Sequence, residues 1–125
     1  MMKAAILGTG FIAEFHAVGY AALEDVQLCA VCDIDVEKAK ALAEKFRCAW
    51  YESAEELLEK EKPDLVSICL PNFLHAQYGC LAMQSGAHVL CEKPLAMTME
   101  ECRALEETSQ ETGKLIMTGQ VLRFW

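Results

Sequence analysis

The sequence has few basic residues and no long uninterrupted apolar run. Its 125 residues contain 11 Lys and Arg against 19 Asp and Glu, a formal net charge of -8. Without a Lys/Arg cluster the chain offers no basic face to a phosphate backbone, which argues against nucleic acid as a partner. The apolar stretches are far shorter than the roughly 18–20 residues of a membrane span. The short run after Met1-Met2-Lys3 leads into glycines instead of a cleavage site. We therefore expect a cytoplasmic protein with no membrane partner.

An even set of cysteines, typical of a secreted disulfide framework, is also missing, because the chain has seven. Cys29 and Cys32 have the C-x-x-C spacing of some redox and zinc proteins. They lie in an apolar segment that is typical of a strand, where residues three apart face opposite sides and cannot pair or share a metal. We expect most of the cysteines to be buried thiols acting as small apolar groups, and we expect no metal site.

Strand-like and helix-like segments alternate along the whole chain. The patterns predict strands at residues 3–7, 26–32, 48–51, 64–70, 88–91 and 115–119. Helices are predicted between them at residues 11–23, 35–46, 53–60, 72–85 and 98–112. Strands that are apolar on both faces and separated by helices are typical of a parallel sheet covered on both sides. We predict an α/β fold, a doubly wound parallel sheet of the Rossmann type with strand order 3-2-1-4-5-6, as one domain over residues 1–125.

A glycine turn connects the first strand to the first helix. The segment Gly8-Thr9-Gly10-Phe11-Ile12-Ala13 has the spacing of the dinucleotide-binding fingerprint. Gly8 allows the tight turn, Gly10 lets a pyrophosphate approach the backbone, and Ala13 is small enough for close packing of helix on strand. The positive end of the helix then points at the phosphates. The alternative is a small-residue turn that only connects a strand to a helix.

An acidic residue, Asp33, ends the second strand twenty residues after Ala13. A carboxylate at this position accepts hydrogen bonds from both hydroxyls of the adenine ribose and repels a 2′-phosphate. The cofactor is therefore predicted to be NAD, with NADP less favoured. The alternative role for Asp33 is to cap the following helix, for which Asp35 is better placed.

The chain resembles the glucose–fructose oxidoreductase / inositol dehydrogenase (Gfo/Idh/MocA) family along essentially its whole length. The resemblance rests on residues 8–13, Asp33, Pro71-Asn72-x-x-His75 and Glu92-Lys93-Pro94, and residues 119–125 resemble the family's domain junction. The 125 residues contain no counterpart of the family's C-terminal domain or of its Asp/His catalytic motif. The resemblance implies an NAD-dependent oxidoreductase, in its nucleotide-binding half, that acts on a secondary alcohol of a sugar, inositol or similar polyol. It also implies a homo-oligomer in the full-length form. The alternative is a non-catalytic NAD-binding module, a sensor or partner subunit.

The resemblance makes Lys93 the catalytic residue, in contact with the substrate hydroxyl and the nicotinamide ribose. A lysine acts as a base where burial or nearby positive charge lowers its pKa from about 10.4, and a protonated lysine stabilises a developing alkoxide. Glu92 is expected to bind the nicotinamide ribose or to orient Lys93. The alternative for Lys93 is an ordinary surface lysine, and the alternative for Glu92 is a solvated acidic residue in a loop.

The residues after the fourth strand are predicted to complete the cofactor site. Asn72 either contacts the cofactor or caps the next helix, and His75 either shapes the nicotinamide site or is a packed, hydrogen-bonded histidine. The full set of predicted cofactor-binding residues is Gly8, Thr9, Gly10, Phe11, Ile12, Asp33, Pro71, Asn72, His75, Glu92 and Lys93.

Overall fold

The computed structural model of the chain describes residues 1–93 and 95–119. Pro94 and the junction predicted at the end of the chain, from residue 120 onward, lie outside the described residues. Six parallel strands form one sheet in the order β3-β2-β1-β4-β5-β6, so the predicted strand order is confirmed. The strands are β1 (Met2–Leu7), β2 (Val26–Cys32), β3 (Ala49–Tyr51), β4 (Leu65–Ile68), β5 (His88–Glu92) and β6 (Ile116–Gly119).

Five α-helices in the described residues connect the strands and cover the sheet. They are α1 (Phe11–Ala21), α2 (Val36–Phe46), α3 (Ala54–Glu61), α4 (His75–Gln84) and α5 (Met99–Thr112). Alternate residues of β1 face opposite layers, as the pleat requires. Ala4 and Ile6 pack in one core with α1 and α2, whereas Ala5 and Leu7 pack in the other with α3, α4 and α5. This two-sided burial explains why the strands are apolar on both faces.

The residues that start three of the predicted helices, at positions 35, 53 and 98, are side-chain caps. Asp35 caps α2 by accepting from the backbone N–H of Lys38, and Ser53 accepts from Glu56 at the start of α3. Thr98 and Glu101 form a complete capping box at α5. Such caps bind backbone N–H groups that have no partner inside the helix.

The start of α4 differs from the prediction. Asn72 is not an N-cap, because Asn72–Leu74 forms a single 3-10 turn and α4 begins at His75. The carbonyl of Pro71 accepts from the backbone N–H of Leu74 at 2.9 Å. This bond between residues three apart tightens the chain into a 3-10 turn before the α-helix starts.

The prediction that Cys29 and Cys32 face opposite sides of the sheet is wrong. Both thiols pack in the core cluster that includes Ala5 and Leu7. The register of β1 with β2 shifts between Ala4 and Ala5, so that one residue of β2 is additional at this point. Such a β-bulge breaks the simple alternation of side chains along the strand.

Candidate dinucleotide-binding site

A cleft of about 550 Å³ opens at the carboxyl edge of the sheet, between the glycine turn and the ends of β2 and β4. Leu7 is in register with Cys32 on one side and with Ile68 on the other, so the residues that follow these three strands lie side by side. Seven of the predicted cofactor-binding residues line this cleft: Gly8, Thr9, Gly10, Phe11, Ile12, Asp33 and Pro71. The crevice outside the carboxyl ends of the strands is where open α/β sheets bind ligands.

Gly8 makes the tight turn possible. Its φ is +95°, and a Cβ added there would lie 2.4 Å from the carbonyl oxygen of Cys69. Its N–H also donates to the carbonyl of Cys32 at 2.7 Å, which joins the turn to the end of β2. Only glycine tolerates both the positive φ and the close approach of the β4 backbone.

Gly10 leaves open space at the start of α1. A Cβ added at Gly10 would meet no heavy atom within 4 Å, and no side chain caps this helix. The first N–H groups of a helix have no partner within it and carry the positive end of the helix dipole. Open space and N–H groups without a side-chain cap therefore lie at the same place, so this part of the cleft fits an anion such as a diphosphate.

The carboxylate of Asp33 lines the cleft beside this turn. Its Oδ2 accepts from the backbone N–H of Thr9 at 3.0 Å and from the Thr9 hydroxyl at 2.6 Å, while its Oδ1 accepts from the N–H of Asp35 at 2.9 Å. Burial alone would raise the pKa of Asp33, but the hydrogen bonds from Thr9 and Asp35 together lower it below its usual range. Asp33 is therefore ionised at neutral pH and ties the end of β2 to the glycine turn.

Exposed apolar side chains surround the cleft mouth. Ile34 is 88% exposed and Phe11 is 83% exposed, and both line the cleft together with the exposed ring of Phe73. Ligand pockets combine such apolar walls with a few polar groups that fix orientation. Neither Ile34 nor Phe73 is among the residues predicted to bind the cofactor. The available signal for Ile34 was an isolated apolar residue directly after Asp33, in a connection that is otherwise polar.

His75 lies away from the cleft surface. It is 1% exposed, and its Nε2–H donates to the carbonyl of Leu70 at 2.8 Å. The geometry favours the alternative of a packed, hydrogen-bonded histidine that supports the segment between β4 and α4. Asn72 is exposed in the 3-10 turn of that segment and lies outside the lining of the cleft.

Glu92 and Lys93 lie further along the same edge of the sheet. Leu7 pairs with Ile68 and Ile68 pairs with Cys91, so Gly8, Cys69 and Glu92 lie side by side at the ends of three adjacent strands. With neighbouring strands about 4.8 Å apart, Glu92 is roughly 10 Å from the glycine turn. Glu92 lines a separate apolar cavity of about 240 Å³, and Lys93 is exposed. Ile12 lines both this cavity and the cleft.

Cys29 and Cys32 are poor candidates for chemistry. Burial is the main cause that raises the pKa of Cys29 to about 11 and that of Cys32 to about 12, so both thiols are protonated at neutral pH. Within residues 1–93 and 95–119, no group of three or more His, Cys, Asp or Glu side chains is arranged to hold a metal ion. In the same residues, no helix has the length and apolar character needed to cross a bilayer.

The strand order, the glycine turn and the acidic end of β2 together define a nucleotide-binding domain of the Rossmann class. The family model described as "Oxidoreductase family, NAD-binding Rossmann fold" (Gfo/Idh/MocA) matches residues 2–120, and the chain belongs to this family.

Two relatives of this chain are dehydrogenases of sugar derivatives. The chain is 39% identical over 117 residues to D-glucoside 3-dehydrogenase of Escherichia coli, a match that covers 92% of this chain and 33% of the relative. It is 36% identical to UDP-N-acetylglucosamine 3-dehydrogenase of Acidithiobacillus ferrooxidans, with 98% and 38% covered. A WlbA dehydrogenase solved with NADH and UDP-GlcNAcA has a TM-score of 0.92 at 27% identity, with 98% and 36% covered. The chain thus spans about a third of the length of the relatives it matches.

Proposed function

We propose that residues 1–125 are the nucleotide-binding domain of an NAD-dependent dehydrogenase that acts on a secondary alcohol of a sugar, inositol or similar polyol. The observation that carries the proposal is the ionised carboxylate of Asp33 in the same cleft as the uncapped start of α1. The sugar dehydrogenases among the relatives support the substrate class.

Each part of the cleft suits one part of the cofactor. The start of α1 at Gly10 would hold the diphosphate, and Asp33 would accept hydrogen bonds from the hydroxyls of the adenine ribose. The exposed side chains of Ile34 and Phe73 would pack against the adenine. A negative carboxylate at the ribose disfavours the 2′-phosphate of NADP, which supports a preference for NAD.

Lys93 would handle the proton of the substrate hydroxyl. The bound nicotinamide supplies the hydride acceptor, and the protein supplies position and electrostatics. When the substrate carbon gives up hydride, its hydroxyl loses a proton, and Lys93 would accept or relay that proton or stabilise the alkoxide as it forms. The position of Lys93, directly after Glu92 at the carboxyl edge of β5, supports this role.

The decisive experiment is a fluorescence titration of the chain with NADH and NADPH, for wild type and Asp33→Asn. We expect wild type to prefer NADH and Asp33→Asn to lose about tenfold in NADH affinity, because a hydrogen bond to a charged group contributes about 1.5–3 kcal/mol. The affinity for NADPH should not fall, since the repulsion of the 2′-phosphate is removed.

Asp35→Asn is the matched control. It removes the same charge two residues away, and asparagine still caps α2. It should leave the NADH-to-NADPH ratio unchanged. If wild type bound neither dinucleotide, the proposed cofactor would be wrong. If Asp33→Asn kept the wild-type ratio, the assignment of the ribose to Asp33 would be wrong.

A further inference from the structure

A chain of buried polar side chains connects α1 to the end of β5. Nε2 of His16 lies 2.5 Å from Oε1 of Glu92, and Nδ1 of the same ring lies 2.9 Å from Oγ of Ser67. The Ser67 hydroxyl is in turn 2.6 Å from that of Tyr20. The side chain of His16 is 4% exposed and that of Glu92 19% exposed. Three elements, α1, β4 and β5, are thus joined through one histidine.

The positions of these residues follow from helix and strand periodicity. Ile12, His16 and Tyr20 are four residues apart on α1 and therefore form one stripe on the helix. Ser67 is in register with Leu90, and Glu92 is two residues beyond Leu90, so both face the same side of the sheet as the stripe. The stripe begins at Ile12, next to the glycine turn, and ends at Tyr20, whose hydroxyl contacts Ser67 of β4.

A hydrogen on Nε2 of His16 joins its ring to Glu92. A carboxylate oxygen only accepts hydrogen bonds, so in the 2.5 Å contact Nε2 of His16 donates to Oε1 of Glu92. The Ser67 hydroxyl, which can both donate and accept, joins Nδ1 of His16 to the Tyr20 hydroxyl. Burial raises the pKa of Tyr20, which keeps its hydroxyl in the donating form. The arrangement holds the Glu92 carboxylate in one place.

The surroundings strengthen this constraint. The cavity beside the network is lined mostly by apolar side chains, including Phe15, Leu23 and Leu90, which offer the Glu92 carboxylate no hydrogen bond that would compete with His16. Glu92 is the last residue of β5, and Lys93 follows it directly. A fixed Glu92 side chain therefore also limits the freedom of the backbone that presents Lys93.

We infer that His16 is a positioning residue, which holds Glu92 and the end of β5 in place for the nicotinamide half of the cofactor. The inference rests on the proposed function, because it assumes that the nicotinamide ribose and ring bind at the end of β5. His16 itself is buried behind Glu92 and acts through it. The adenine half of the cofactor lies at Asp33 and should not sense His16.

The test compares NADH with ADP, which has the adenosine and diphosphate but lacks the nicotinamide ribose and ring. Binding of both ligands is measured by calorimetry for wild type, His16→Leu and His16→Gln. We expect His16→Leu to weaken NADH binding about tenfold while ADP affinity changes less than about twofold. His16→Gln should recover most of the NADH affinity, because its amide N–H can donate to Glu92.

The outcomes separate this inference from the proposed function. If wild type bound neither ligand, the proposed function would fail. If wild type bound both and the NADH-to-ADP ratio stayed the same in His16→Leu, only the positioning role would fail. A purely structural role would lower both affinities together and leave their ratio unchanged in both variants.

A measurement on wild type keeps the inference testable even if His16→Leu does not fold. Nitrogen-15 NMR of the histidine rings should show His16 with hydrogen on Nε2. Addition of NADH should shift the His16 signals, and addition of ADP should leave them almost unchanged. Hydrogen on Nδ1 alone, or equal shifts with both ligands, would overturn the inference.

Discussion

Gly8→Ala should destabilise the fold more than any other small change at the glycine turn. The new methyl group would lie 2.4 Å from the carbonyl oxygen and 2.7 Å from the carbonyl carbon of Cys69, and the residue would keep a φ of +95°. Neither atom can move easily, because the N–H of Cys69 donates to the carbonyl of Leu7 at 2.7 Å. The new methyl group would therefore clash with a backbone segment that is hydrogen-bonded to the segment carrying residue 8.

The cost can be estimated from two contributions. A residue other than glycine in such a conformation costs about 1–3 kcal/mol, and overpacking of a tight site costs a similar amount, about 1–3 kcal/mol. Gly8→Ala should thus lower the free energy of unfolding by about 2–6 kcal/mol, a large part of the roughly 5–15 kcal/mol of a typical domain. The fall in Tm should be roughly 10 °C or more.

Gly10→Ala is the matched comparison two residues away. Its φ of -73° suits alanine, and a Cβ there meets nothing within 4 Å, so the expected loss of stability is below about 1 kcal/mol. The methyl group would instead occupy space assigned to the diphosphate. We expect NADH affinity to fall at least about tenfold, since one displaced hydrogen bond to a charged group accounts for that much.

Urea unfolding followed by far-UV circular dichroism measures the first effect, and NADH titration measures the second. The steric argument would be refuted if Gly8→Ala and Gly10→Ala unfolded at the same urea concentration. The placement of the diphosphate would be refuted if a folded Gly10→Ala bound NADH as tightly as wild type does. Each glycine thus tests a different half of the reasoning.

Two further predictions concern the thiols and the lysine proposed to be catalytic. Burial, as the main cause, raises the pKa to about 11 for Cys29 and Cys48 and to about 12 for Cys32 and Cys91. Unfolded thiols ionise near pH 8.5, so above that pH the folded state binds more protons than the unfolded state, and its stability falls as the pH rises. The urea concentration at the unfolding midpoint should therefore decrease as the pH is raised from about 7.5 to about 9.5. A midpoint that does not change with pH would contradict these pKa shifts. In the full-length protein, Lys93→Met should keep NADH binding and lose about a hundredfold or more in turnover, and unchanged turnover would remove Lys93 from its role.

Much of the fold can be predicted because its signals are local. The glycine turn, the caps of α2, α3 and α5 and the strand order 3-2-1-4-5-6 all follow from patterns within a few residues, combined with the rule that parallel strands need crossovers. The position of Asp33 beside the glycine turn follows equally, because both come directly after neighbouring strands. These are the features that define the cleft and the family.

The side chains that face one another across the sheet could not be predicted in the same way. His16 and Glu92 are 76 residues apart in sequence, and their contact depends on the register of β4 with β5 and on how α1 lies across both. The bulge that brings Cys29 and Cys32 into one core is equally a property of paired strands, since an extra residue has meaning only relative to its partner.

His75 and Asn72 show the same limit at the candidate site. Their spacing after β4 is visible in the sequence, but Pro71 starts a 3-10 turn that directs His75 to the carbonyl of Leu70 and leaves Asn72 exposed. Short-range propensity therefore established the strands, the helices and the glycine turn of this chain. The packing of helices on the sheet established which polar groups are buried together, because burial depends on contacts between residues that are distant along the chain.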